Sequence, residues 1–99
     1  MKVVVRLYLF LRDVLGSKEV ALELSEGSSV SELLQIIREQ YGLPDRISTG
    51  YGNLILIEND QPTGLIVLVG GRNIKKLQGM ATVLEDGSVI TLFPPAAGG

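Results

Sequence analysis

Residues 2–24 read KVVVRLYLFLRDVLGSKEVALEL, and their periodicity decides the fold. From Lys2 to Leu11 a period of two puts Val3, Val5, Leu7, Leu9 and Leu11 on one face of a strand. The opposite face carries Lys2, Val4, Arg6, Tyr8 and Phe10. That second face is mixed rather than polar, as expected of a strand that is central in its sheet or turned toward a partner. Arg12–Leu15 reads as a short helical turn stopped by Gly16. From Glu19 to Leu24, Val20, Leu22 and Leu24 alternate with Glu19, Ala21 and Glu23, which predicts a second strand folding back antiparallel on the first.

Downstream, Ser25-Glu26-Gly27-Ser28 is turn chemistry and Ser29 with Glu32 forms a capping box. The helix it opens runs to about Tyr41, with Val30, Leu33, Leu34, Ile37 and Tyr41 on one stripe. Gly42 and Pro44 end it. Asp45–Asn53 reads as a loop. Leu54–Glu58 and Leu65–Val69 read as strands joined in a hairpin by the segment from Asn59 to Gly64. Gly70-Gly71 opens a turn, Ile74–Met80 is irregular or one helical turn, Glu85-Asp86-Gly87-Ser88 is a tight turn, and Val89–Phe93 is the last strand. This order predicts an α+β fold, a mixed sheet packed on one main helix in the β-grasp arrangement. The first and last strands are expected side by side in its middle. Residues 1–93 form the single domain and 94–99 a flexible tail.

Ninety-nine residues, 45% of them hydrophobic and 20% charged, with mean hydropathy +0.31, suit one compact domain and argue against disorder. The chain has no Cys and no His, which removes thiol nucleophiles, Cys/His zinc sites and histidine-based acid–base catalysis. A net charge of −2 offers no field for nucleic acid or an anionic membrane, so the expected partners are proteins. No stretch approaches the ~18 apolar residues of a membrane span, the opening strand lacks a signal-peptide pattern, and a cytoplasmic location is expected. The carboxylates Asp13, Glu26, Asp45, Glu58, Asp60, Glu85 and Asp86 are scattered and read as solvated charge. Gly50-Tyr51-Gly52 lacks the third glycine of a dinucleotide loop. Gly70-Gly71-Arg72-Asn73 reads as a turn before an anion nest, and Lys75-Lys76 is too small for a nucleic-acid footprint.

The chain end changes character. After Phe93 come Pro94, Pro95, Ala96, Ala97, Gly98 and Gly99. The two prolines stop ladder pairing and favour an extended backbone, and six residues at ~3.3 Å each reach roughly 20 Å. Beyond Pro95 no side chain exceeds a methyl, so this tail can thread a narrow channel and deliver the Gly99 carboxylate at its tip. Composition alone leaves two readings open, a frayed terminus and a macromolecular substrate whose carboxylate is activated, for example as an anhydride with AMP.

Phe93-Pro94-Pro95-Ala96-Ala97-Gly98-Gly99, preceded by Glu85-Asp86-Gly87-Ser88-Val89, closely resembles the end of the small subunit of molybdopterin synthase, a ubiquitin-like sulfur carrier of the MoaD type. The resemblance extends to Leu11-Arg12-Asp13-Val14-Leu15-Gly16, to Glu26-Gly27-Ser28-Ser29-Val30 with Leu33-Leu34, and to Val69-Gly70-Gly71-Arg72-Asn73-Ile74. It implies that an E1-like enzyme adenylates Gly99 with ATP, that a sulfurtransferase route makes a thiocarboxylate, and that the large synthase subunit accepts the tail. Sulfur then passes to cyclic pyranopterin monophosphate in molybdenum cofactor biosynthesis. The carrier itself binds no cofactor and is not catalytic alone. In this reading Gly99 carries sulfur, Gly98, Ala97 and Ala96 are the slim channel segment, and Phe93, Pro94 and Pro95 are the docking collar. Ala96, Gly70 and the long stretch Asp45–Gly64 depart from the family pattern. Relatives of this type also modify protein lysines in the manner of ubiquitin, thiolate tRNA or serve thiamin synthesis, so a protein modifier joined through Gly99 is the alternative.

Val4, Tyr8 and Phe10, with Phe93, are candidates for an exposed apolar patch beside the tail. Equally, they can pack beneath the segment from Asp45 to Gly64.

Overall fold

A computed structural model describes residues 1–50 and 52–94. Its strands and helices, in chain order, are β1 (Lys2–Leu7), α1 (Phe10–Leu15), β2 (Glu19–Glu23), α2 (Val30–Tyr41), β3 (Arg46–Thr49), β4 (Gly52–Ile55), β5 (Ile66–Val69), β6 (Arg72–Asn73) and β7 (Val89–Phe93). Short 3-10 turns lie at Ile74–Lys76 and Gly79–Ala81. The main sheet has the order β2-β1-β7-β5-β6, and β3 and β4 form a separate pair. β1 runs antiparallel to β2 and parallel to β7, while β5 is antiparallel to β7. The mixed sheet with one main helix and with its first and last strands adjacent is the β-grasp arrangement that the sequence predicts.

One face of this sheet supplies the core. The alternation buries Val3, Val5 and Leu7 of β1, Val20 and Leu22 of β2, Val67 of β5, and Ile90 and Leu92 of β7. Val30, Leu33, Leu34 and Ile37 of α2 are buried with them as one cluster. The helix begins where expected, with the Ser29 hydroxyl accepting from the Glu32 amide at 3.5 Å. It ends at Gly42, which takes φ +78° and donates its amide to the Ile37 carbonyl. The segment Thr82–Leu84 closes its first turn: Val30 N–H donates to Thr82 O and Leu84 N–H to Ser28 O.

β1 stops four residues short of the expected end. Leu9, expected on the buried face, is 66% exposed at φ +55°, and Leu11 reaches the core from α1 instead. Residues four apart share a face in both a strand and a helix, so the spacing of Leu7 and Leu11 fits either structure. The expected loop Asp45–Asn53 contains the β3–β4 hairpin, whose polar and half-exposed residues carry no alternation to announce it. The expected hairpin between Leu54–Glu58 and Leu65–Val69 is absent as such, because β4 pairs with β3 and β5 with β7. Leu56 and Ile57 are buried, and both donate their amides to Asp45 O. The following reversal is confined to Glu58–Gln61, where Asn59 and Asp60 adopt positive φ and Glu58 and Gln61 exchange backbone hydrogen bonds.

Arg38 ties α2 to this irregular region, donating to Asp45 Oδ1 at 2.9 Å and Asp60 Oδ1 at 3.1 Å. The hydrogen bond to Asp60, with Asp45 beside it, raises the guanidinium pKa above its ordinary value despite some opposing desolvation. Gly64 lies close to the backbone of this segment: its amide donates to Leu56 O at 3.0 Å, and a Cβ at Gly64 would fall on the Ile55 carbonyl oxygen. Gly64→Ala is therefore expected to destabilise the domain by about 1–3 kcal/mol, since neither backbone can yield without breaking that hydrogen bond. Gly50→Ala, with open space around it, is expected to stay within about 0.5 kcal/mol of the parent. Urea unfolding of the two variants makes the comparison.

Candidate functional site

The parallel register of β1 and β7 pairs Leu7 with Leu92, which brings the next residue of each strand, Tyr8 and Phe93, together on the sheet face opposite α2. Tyr8 extends the ladder by one bond, its amide donating to Leu92 O at 3.2 Å. The two rings stack with centroids 4.6 Å apart and planes 25° from parallel. Arg12, projecting from α1, donates from Nε to Leu7 O at 2.7 Å, and its guanidinium lies 5.1 Å from the Tyr8 ring centroid. The stack contributes roughly 0.5–1.5 kcal/mol beyond burial and the cation–π contact roughly 0.5–1 kcal/mol. The stack ties Phe93, the last residue of β7, to Tyr8, and the Arg12 contact holds Tyr8 in turn.

Ile66 is the cross-strand partner of Phe93 and is 40% exposed, so apolar surface continues onto β5. Val4 shares the same open face two rows away, opposite Val89, and is half-buried. Phe10 is placed differently from the expectation. It opens α1 instead of extending β1, and it packs against the hydrophobic core. Pro94, which follows Phe93, is buried. Pro95, Ala96, Ala97, Gly98 and Gly99 lie outside the described residues.

Three residues of this site escaped the sequence reading. The alternation of Leu65–Val69 pairs that strand with Leu54–Glu58 and so does not place Ile66 beside Phe93. Arg12 reaches Tyr8 only because β1 ends at Leu7 and the chain reverses into α1. Leu9, exposed at that reversal, has a backbone conformation that L-residues rarely adopt, and no local signal marks it.

Arg6–Glu19 is a 3.7 Å surface pair, and among the described residues the other side-chain ion pairs gather around Arg38. Among the described residues no three Asp or Glu side chains converge as a metal site. No helix among them is long and apolar enough to cross a membrane.

A family model described as the ThiS family matches residues 5–99. The chain belongs to the ThiS family. Along its whole length it is 28% identical over 99 residues to small archaeal modifier protein 3 of Haloferax volcanii, covering 100% of both chains. It is also similar to the solution structure of the Haloferax volcanii HVO 2177 protein, with a TM-score of 0.79 and 33% identity over 100% of this chain and 87% of that one. The solution structure of small archaeal modifier protein 1 from Methanosarcina acetivorans gives a TM-score of 0.72 and 25% identity, covering 99% and 96% of the two chains. The fold is thus that of the ThiS/MoaD-like, ubiquitin-like β-grasp proteins, small carriers and modifiers.

The Tyr8–Phe93 stack can be measured directly. In a double-mutant cycle with Tyr8→Ala and Phe93→Ala, urea unfolding is expected to give a coupling of about 0.5–1.5 kcal/mol. Additivity within error would mean that the rings do not interact in solution.

Proposed function

We propose that this ThiS-family chain is a ubiquitin-like protein modifier, activated at the carboxylate of Gly99 and joined through it to lysine side chains of other proteins. The observation that carries this reading is the end-to-end similarity to small archaeal modifier protein 3 of Haloferax volcanii, 28% identical with neither chain left uncovered. The Gly98-Gly99 end of the sequence supports it from the chemistry. A glycine carbonyl has no Cβ to hinder a nucleophile. A free carboxylate, however, is a poor electrophile.

Activation by an E1-like enzyme supplies the missing reactivity. A Gly99 carboxylate oxygen attacks the α-phosphorus of ATP, pyrophosphate leaves, and an acyl-adenylate forms. The neutral ε-amine of a target lysine then attacks the carbonyl carbon. The new C–N bond forms as the C–O bond to AMP breaks, and the amine proton passes to a base outside this chain. ATP is held by the activating enzyme, so this chain needs no cofactor of its own. Its part is to present the tail: Phe93, Pro94 and Pro95 form the collar, and Ala96, Ala97 and Gly98 form a stalk slim enough for a narrow active-site channel. Tyr8, Val4 and Ile66 offer the apolar surface on which the activating enzyme docks. The cytoplasm, where ATP and target lysines are available, is the proposed location.

The ThiS-family match over residues 5–99 favours a second use of the same carboxylate. If sulfide equivalents from a sulfurtransferase replace the lysine, attack on the acyl-adenylate expels AMP and leaves a thiocarboxylate. That product donates sulfur, in the molybdopterin synthase reading to cyclic pyranopterin monophosphate on a large synthase subunit.

Mass spectrometry distinguishes the two. The last Lys or Arg is Lys76, so a tryptic isopeptide carries residues 77–99 as a branch on the target lysine. Such branched peptides are expected in cells producing the intact chain and are expected to vanish on deletion of Gly98 and Gly99. If intact protein from the same cells instead carries sulfur in place of one terminal oxygen and no branched peptide forms, the carrier reading replaces the modifier reading.

A further inference from the structure

We infer that Leu9, with Arg12 three residues on, anchors the activating enzyme. The leucine enters an apolar socket of that enzyme, and the guanidinium meets a carboxylate at the socket's rim. The inference rests on the proposed activation at Gly99 and deepens it by naming the contact that recognises the chain.

Leu9 has φ +55° and ψ −137°, and the Leu11 amide donates to Tyr8 O at 3.2 Å. This is the geometry of the first central residue of a type II′ turn, a position that glycine fills without strain and a residue with a Cβ does not. The side chain recovers nothing by packing, because at 66% exposed it is the most exposed of the large apolar side chains among the described residues. Glycine at this position would remove both the backbone strain and the apolar exposure. The isolated fold therefore gains nothing from this leucine, and a partner surface that covers it gives the side chain a use.

Arg12 supplies the charge. It is exposed, yet its guanidinium is held in place by the Nε bond to Leu7 O at 2.7 Å and by the Tyr8 ring 5.1 Å away. Arg6 and Arg38 are engaged by Glu19 and by Asp45 and Asp60, whereas Arg12 has no Asp or Glu paired with it among the described residues. A guanidinium already positioned loses little freedom on accepting a carboxylate. A partner with an acidic group beside an apolar socket complements both residues, and one with a basic rim is repelled.

The length of the chain end says which partner this is. Leu9 follows Tyr8, whose ring is stacked on Phe93, and five residues follow Pro94. Five residues span at most roughly 17 Å. An enzyme that activates Gly99 must approach Pro94 within that distance, and so reaches the end of the sheet where Leu9 and Arg12 lie.

The test measures ATP–pyrophosphate exchange by the activating enzyme of the same organism, with the full chain as the varied substrate. Leu9→Gly is expected to raise the KM for the chain roughly tenfold and to leave kcat within about twofold, since the contact is remote from the reacting carboxylate. Its urea midpoint is expected to be no lower than the parent's. Arg12→Gln is expected to raise KM at low salt and to weaken the dependence of KM on ionic strength, a change that loss of the ring contact alone would not produce. Val83→Ala, at an exposed valine on the Thr82–Leu84 segment, is expected to match the parent. An unchanged KM for Leu9→Gly, a urea midpoint well below the parent's, or the parent's salt dependence in Arg12→Gln would each overturn the inference and leave the activation reading standing. No exchange with the parent chain would remove that reading and this inference together.

Discussion

The parallel ladder between β1 and β7 is the contact on which the rest depends. Parallel neighbours cannot be joined by a tight turn, and here nearly the whole domain, from Tyr8 to Ser88, serves as the connection. Closing so long a loop is slow and entropically unfavourable, and the gain is a sheet whose two central strands are buried by α2 on one face. Ile90 and Leu92 lie beside Val5 and Leu7 at its centre, all fully buried. Everything on the opposite face, including the stack of Tyr8 on Phe93, takes its position from that register. A slip of one residue would turn Phe93 into the core and Leu92 out of it.

Function and stability are separated by the same sheet. The face under α2 is aliphatic and tightly buried, and it leaves no polar side-chain atom of the described residues buried without a partner. The open face is mixed, with Val4, Arg6, Tyr8, Thr91, Phe93 and Ile66 only partly covered or exposed. This division suits the proposed role, in which the carboxylate of Gly99 is the group that is activated. Side chains on the exposed face can vary without disturbing the buried one, because the strand period puts them on opposite sides of the sheet.

The segment 43–64 follows different rules. Its apolar residues Leu43, Leu56 and Ile57 are buried, but they are held by irregular backbone bonds, by the Arg38 bridge to Asp45 and Asp60, and by the close approach at Gly64. Periodicity is a signal of regular elements, so a region whose order comes from single long-range contacts leaves little trace in it. This is why Asp45–Asn53 reads as a loop in the sequence while it holds β3, and why the alternation of Leu54–Glu58 points to β5 while its first residues pair with β3.

The sequence by itself determined the elements that bury one face at a regular spacing: most of β1, then β2, α2 with its Ser29 cap and Gly42 stop, and β7. It also determined the absence of cysteine and histidine chemistry and the composition of the Gly-Gly end. Only the tertiary structure decided where β1 ends, because Leu7 and Leu11 suit a strand and a helix equally and the reversal at Leu9 depends on α1 packing on the core. Strand pairing was likewise a tertiary decision. Backbone hydrogen bonds are the same for every residue type, so which edge meets which follows from the global packing of buried faces. The meeting of Tyr8, Phe93, Arg12 and Ile66, drawn from four separate stretches of chain, is a consequence of that packing.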